Sequence, residues 1–270
     1  MDTPHIDLIS GPAGDLAVAL YGDLSAAAAP LLLVHPINTG GGIWRRVAAA
    51  LSLIRPVIVP DLRGHGASHS GGPYTVFDHA SDMTAVLTHY RLERFHVGGG
   101  SLGGAISVLL AAEHHDRVLS MASFGGSLTI QMPEEAMTPL SAIAAERGGD
   151  ALMRELLPSA FGETSRVPAM IEEAFALSSG RDGDLIVALI RAAFSTDVTA
   201  QAAKVRAPAL IVNGTQDETC PPSAGAAMAD AVGGRAVALD GIGHLPMLEV
   251  SGSTIALLAD HCAQAEHAHG

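Results

Sequence analysis

The sequence predicts an α/β protein: a mostly parallel central sheet with helices on both faces, interrupted after the sixth strand by a helical cap. Three observations carry that prediction. Residues 30–35 (PLLLVH), 56–60 (PVIVP) and 208–213 (PALIVN) are continuous apolar runs, the pattern of strands buried on both faces. Helical segments alternate with such runs, which implies right-handed crossovers between parallel neighbours. From 127 to 203 the alternation stops: the chain becomes Ala- and Glu-rich, with helical patterns such as 150–157 (DALMRELL), and nothing in it reads as a strand. An all-helical insertion between two halves of such a sheet is expected over the carboxyl ends of the strands, where ligands bind. The expected division is therefore a core of 1–126 and 204–270 and a cap of 127–203.

The elements follow in order. Residues 15–21 alternate apolar and polar side chains and 5–9 do so less clearly, predicting an antiparallel pair that opens the sheet. The 30–35 strand leads through a Gly-rich loop, 35–42, to a helix beginning near Ile43 and Trp44. The 56–60 strand is closed by 61–68 (DLRGHGAS), and a helix is expected from about Phe77 to Tyr90. A strand from Phe95 runs into glycines and straight into an apolar helix, and 117–124 forms another strand. After the insertion come the 208–213 strand, a strand at 235–239 and a last helix from about Glu249 to Cys262.

Composition narrows the function classes. With 270 residues and 48% hydrophobic content there is ample material for a core. A net charge of −13, with only 15 scattered Lys and Arg, argues against nucleic acid as a partner. Residues 1–5 (MDTPH) hold no basic region followed by an apolar one, so no secretory leader is expected, and no apolar stretch reaches membrane-spanning length. Two cysteines, Cys220 and Cys262, make no disulfide framework, and a reducing cytoplasm is the simplest compartment. The 13 histidines show no metal-ligand spacing, so neither a metal nor another cofactor is expected.

The chemistry gathers at Gly99-x-Ser101-x-Gly103. A serine hydroxyl becomes a nucleophile when it stands clear of the backbone beside a base and amide donors, and flanking glycines make room for the tight turn this needs. The bare pattern arises by chance roughly 0.2 times in a chain this rich in glycine. Its context, a strand before and a helix after, is what gives it weight. Two further blocks lie just past strand ends: 214–222 (GTQDETCPP), holding Asp217 and Glu218, and 241–246 (GIGHLP), holding His244. A serine nucleophile needs a base, and the base needs a carboxylate on its other nitrogen. The bland alternatives are that His244 is a buried structural histidine and that Asp217 only forms the turn, with Glu218 as the acid. Asp61 and Asp240 are weaker candidates for that role.

These three blocks, in the order Ser101, Asp217, His244, resemble the α/β-hydrolase superfamily from about Leu16 to Leu258. The resemblance implies the α/β-hydrolase fold, with Ser101 as nucleophile, His244 as general base and then acid, and Asp217 as orienting carboxylate. It implies an oxyanion hole built from the backbone N–H groups of Leu102 and Ile37. Pro36 stands where a glycine is usual, which leaves Ile37 as the donor since proline has no N–H. Asn38 is either a side-chain donor or a turn residue. Gly100 replaces a bulkier residue and is expected to enlarge the pocket floor, making it a possible substrate contact. Asp61, Arg63 and His65 match a segment that braces the loops.

Serine at the elbow sets the chain apart from dehalogenases and epoxide hydrolases of this fold, which use aspartate. The nearest branch in resemblance is that of small bacterial ester and lactone hydrolases, 3-oxoadipate enol-lactonases among them, through 63–68 (RGHGAS), 72–76 (GPYTV) and the cap length. The implied activity is hydrolysis of a small ester or lactone. Alternatives are a carbon–carbon bond hydrolase of ring-cleavage products, with the same triad, and a non-catalytic ligand-binding protein. A carboxylate-bearing substrate would need an arginine from the cap; Arg147, Arg154, Arg166, Arg181 and Arg191 are available but are expected to be solvated helix residues. Met132, Met137, Phe161, Met170, Phe175 and Phe194 are expected in the cap core more than in the pocket.

Overall fold

The computed structural model describes residues 3–269; the first two residues of the N-terminal stretch read above for a leader lie outside them. The first half of the chain runs β1 (His5–Ser10), β2 (Asp15–Tyr21), β3 (Leu31–Val34), α1 (Arg45–Leu51), β4 (Val57–Pro60), α2 (Val76–His89), β5 (Phe95–Gly100), α3 (Leu102–Glu113) and β6 (Val118–Phe124). Then come β7 (Thr129–Gln131), α4 (Glu134–Arg147), α5 (Gly149–Leu156), α6 (Pro168–Ala176), α7 (Gly183–Ala193), β8 (Ser195–Asp197) and α8 (Thr199–Ala202). The chain closes with β9 (Ala209–Gly214), α9 (Pro222–Val232), β10 (Arg235–Leu239), α10 (Pro246–Glu249) and α11 (Ser251–His269).

Eight strands form one sheet in the order β1-β2-β4-β3-β5-β6-β9-β10. β2 is antiparallel to both its neighbours, and every other pairing is parallel. Both faces of the sheet are covered, which is why its inner strands read as unbroken apolar runs. In β3, Leu32 and Val34 pack with side chains of α2 and α3, whereas Leu31 and Leu33 pack with those of α1 and α11. Ile58 of β4 divides from Val57 and Val59 in the same way. Each fully buried Leu or Val there contributes about 1.5–3 kcal/mol. α3 is buried along almost its whole length because β5 and β6 lie under it and α2 and α8 beside it, so it shows no amphipathic stripe.

Strand order fixes where a ligand would sit. β3 lies between β4 and β5, so the connections leaving it and its successor run in opposite directions and open a crevice at the carboxyl ends of β3 and β5. The loop carrying Ile37 and the turn carrying Ser101 flank that crevice.

Two expectations need correction. The 127–203 insertion is not purely helical: β7 and β8 pair antiparallel, with Ile130 opposite Thr196, and close its base. Three-residue strands with one buried side chain each have no period to read. The last helix is also longer than the apolar pattern indicates, since α11 runs on to His269 after the separate turn of α10. Cys220 and Cys262 are both free and buried. Among the described residues, no helix is long and apolar enough to cross a membrane.

Candidate active site

β5 ends at Gly100 and α3 begins at Leu102, so Ser101 alone makes the turn, at φ 50° and ψ −116°. A non-glycine residue held there costs on the order of 1–3 kcal/mol, which the surroundings must over-determine. The Ser101 N–H donates to the Phe124 carbonyl (2.9 Å) and its carbonyl accepts from the Gly104 N–H (2.8 Å). The turn is tight enough to exclude side chains on either side. A Cβ on Gly99 would stand 2.1 Å from the backbone carbonyl of Gly103, and one on Gly103 would stand 2.3 Å from the Val34 oxygen. Gly100 corrects an expectation. A Cβ there would stand 2.6 Å from Met247 and 2.9 Å from Pro36, so those side chains fill the space and Gly100 does not line the cavity.

Asp217 and His244 meet just beyond β9 and β10. Asp217 is 3% exposed. Its Oδ1 accepts from the backbone N–H groups of Thr219 (2.9 Å) and Cys220 (2.8 Å), and its Oδ2 accepts from His244 Nδ1 (2.8 Å). One oxygen is thus fixed by the turn and the other presented to the imidazole. Glu218 is exposed, and Asp240 accepts from the Thr215 hydroxyl (3.3 Å), so neither of these acids meets the histidine. The loop carrying His244 is held by the buried Glu249, a residue the sequence read only as the start of a helix. Glu249 Oε2 accepts from the N–H groups of Gly243 (3.0 Å) and Gly162 (2.9 Å) and from the Ser165 hydroxyl, while Oε1 accepts from the Leu245 N–H (3.0 Å). One carboxylate therefore clamps both neighbours of His244 to the insertion. The His244 N–H itself donates to the Ala160 carbonyl (2.8 Å). Among the described residues, no hydrogen bond joins the Ser101 hydroxyl to His244; both line one cavity.

The loop after β3 is braced from below. The Leu62 N–H donates to His35 Nε2 (2.9 Å), so the His35 proton sits on Nδ1 and is given to the Pro36 carbonyl (2.7 Å). The Asn38 N–H likewise donates to His65 Nε2 (2.9 Å), whose Nδ1 proton goes to the Arg63 carbonyl (2.9 Å). Both rings are neutral in this arrangement. Burial pushes His35 down to about 4 and drives His65 well below its ordinary value. Arg63 is itself locked by two 2.6 Å bonds to Asp82, and Asp61 accepts from the N–H groups of Gly41 (2.8 Å) and Ala67 (3.0 Å). Between these supports, the N–H groups of Ile37 and Leu102 have no partner among the described residues.

Arg181 corrects a second expectation. It lies outside any helix and is largely buried, donating to the Asn38 carbonyl (2.7 Å) and side-chain oxygen (3.3 Å). Burial lowers it to about 10. Asn38, at φ 56°, is therefore a turn residue whose side-chain oxygen is taken, while its amide nitrogen has no protein partner among the described residues. The cavity above has a volume of ≈ 170 Å³. Ser101, Leu102, Ile37, Asn38 and His244 bound it on the sheet side, and Met132 and Phe194 are among its walls from the insertion. Met137 and Phe161 are buried core, and Met170 and Phe175 pack against it, as expected of the segment.

The sequence profile of the alpha/beta hydrolase fold family matches residues 29–168, just over half of the chain. The chain is 36% identical over 107 residues to lipase LipV of Mycobacterium tuberculosis, covering 40% of each, so the match spans about two fifths of that relative's length. It is 29% identical to a pimeloyl-[acyl-carrier protein] methyl ester esterase of Chromobacterium violaceum over 86% of this chain and 93% of the relative. The crystal structure of the enol-lactonase from Burkholderia xenovorans LB400 superimposes with a TM-score of 0.87 at 27% identity, covering 96% of this chain and 100% of that one. A serine-bearing elbow at the crevice of a mostly parallel sheet, a matching profile and a full-length structural likeness agree: the chain belongs to the alpha/beta hydrolase fold family.

Proposed function

We propose that the chain hydrolyses a small carboxylic ester or lactone through an acyl-enzyme, with Ser101, His244 and Asp217 as its triad. His244 Nε2 takes the Ser101 proton as Oγ attacks the carbonyl carbon, and Asp217 holds the ring in the tautomer whose Nε2 accepts. The carbonyl oxygen becomes an oxyanion that receives the N–H groups of Ile37 and Leu102. Collapse of the intermediate expels the alkoxide, which takes the proton back from His244; in a lactone the resulting hydroxyl stays tethered to the acyl chain. Water, deprotonated by His244, then attacks the acyl-enzyme, releasing the acid and restoring Ser101. The observation that carries this reading is the 2.8 Å pairing of His244 Nδ1 with Asp217 on a cavity that Ser101 also lines. In the same reading residues 127–203 act as a cap on a core of 1–126 and 204–270. The partner is a small molecule, the compartment is the cytoplasm, and no step calls for a metal or cofactor.

The test is hydrolysis of short-chain aryl esters and of γ- and δ-lactones by wild type and Ser101→Ala in parallel. At least one class should turn over, and the variant should lose at least about a thousandfold in kcat. A folded Ser101→Ala variant as active as wild type would sink the assignment.

A further inference from the structure

We infer that the substrate's non-reacting portion is apolar and uncharged, and that esters bearing a carboxylate on that portion are rejected; this rests on the serine-hydrolase reading above. The cavity divides chemically into two sides. Its polar groups belong to the sheet side or its rim, and its far wall is built by the insertion from Met132, Leu140, Met153, Leu157, Ile190 and Phe194. Among the described residues, no Lys, Arg, Asp or Glu lines it.

The cations that would receive a carboxylate are committed elsewhere. Arg147 pairs with Glu155 (3.0 Å), Arg154 with Glu172 (2.6 Å) and Arg191 with Glu134, all on the outer surface. Arg166 donates to the Phe161 carbonyl (2.9 Å). Arg181 is the one that reaches toward the crevice, and its guanidinium is spent on Asn38 and the Ser178 carbonyl. A carboxylate entering the cavity would lose water and gain no counter-charge, which costs far more than burying a methyl in its place. The ≈ 170 Å³ of space holds about half a dozen waters, enough for a chain of several methylenes. An apolar chain gains by displacing those waters from a wall of Met, Leu, Ile and Phe.

A matched pair of substrates isolates the effect: p-nitrophenyl hexanoate against mono-p-nitrophenyl adipate, equal in acyl length and differing in a terminal carboxylate. The hexanoate should be favoured at least about a hundredfold in kcat/KM, with most of the difference in KM. Met132 and Leu140 are both half-buried, so an introduced guanidinium there keeps contact with water. Leu140→Arg, or Met132→Arg should that variant not fold, should narrow the preference at least about tenfold by raising the adipate rate. Comparable rates for the two esters, both abolished by Ser101→Ala, would overturn the inference and leave the serine-hydrolase reading standing. Absence of Ser101-dependent turnover of either ester would overturn that reading and the inference with it.

Discussion

Acid should unfold this protein well before its carboxylates titrate, because several histidines are stored neutral in the interior. Burial is the main cause in each case: it lowers His35 from 6.5 to about 4, His79 to about 3 and His96 to about 4. With folded values below the unfolded one, the unfolded chain binds more protons across the window from 6.5 down to about 4. Stability is therefore full above about pH 6.5 and falls as pH drops through that window. At about pH 5 each of the three costs about 2 kcal/mol, at about 1.4 kcal/mol per pKa unit, so together they remove about 6 kcal/mol. That is a large part of the 5–15 kcal/mol typical of a whole domain. Glu266 adds little at about pH 5, because what it contributes is lost only as pH falls through 4.5 towards about 2. Burial pushes its carboxyl up, but hydrogen bonds from Arg55 and His96 outweigh this and hold it at about 2. The assay is urea unfolding at about pH 8 and about pH 5, in wild type and in His79→Leu. Among the described residues, neither ring nitrogen of His79 has a hydrogen-bond partner, so the variant removes the titration without orphaning a donor. It should shrink the pH difference by about 2 kcal/mol. Equal stability at the two pH values, or an undiminished difference in His79→Leu, would refute the reasoning.

Two further outcomes follow from the site's supports. Glu249→Gln replaces an oxygen that accepts hydrogen bonds with an NH2 group facing N–H donors; it should cost about 2–4 kcal/mol in stability and lower kcat more than it raises KM, read by thermal melts and steady-state kinetics. Gly103→Ala places a methyl 2.3 Å from the Val34 oxygen, where only backbone stands to give way. It should cost about 3 kcal/mol or more, seen as a lowered urea midpoint, whereas Gly241→Ala, with open space around it, should keep its packing and suffer mainly from its φ of 71°.

What was legible in the sequence was local. Ser101, Asp217 and His244 each fall within a few residues of a strand end, so a strand pattern followed by a glycine-rich turn locates them without tertiary knowledge. The unbroken runs of β3, β4 and β9 likewise announced burial on two faces. Glu249 was illegible as a clamp because its donors come from residues 162, 165, 243 and 245, on two segments that meet only in the fold. Arg181 carries a local signal in the sequence: Gly180 and Gly183 flank it, which marks a loop and not a helix interior. Gly100 misled because an absent side chain says nothing of what fills its place, here Met247 and Pro36.

The small ribbon of β7 and β8 has a consequence for how the molecule can vary. Thr129 and Asp197 face each other across it, so the chain departs from the main sheet and returns to it through two points about 5 Å apart. A segment with adjoining ends is a cassette: its length and contents can change without shifting the register of the strands on either side. The cavity wall built by the insertion is thereby separable from the strands whose ends carry Ser101, Asp217 and His244. Exchange is limited where the insertion holds the core, since any replacement must again hand Glu249 the donors now given by Gly162 and Ser165, the His244 N–H the carbonyl now given by Ala160, and Asn38 the cation now given by Arg181.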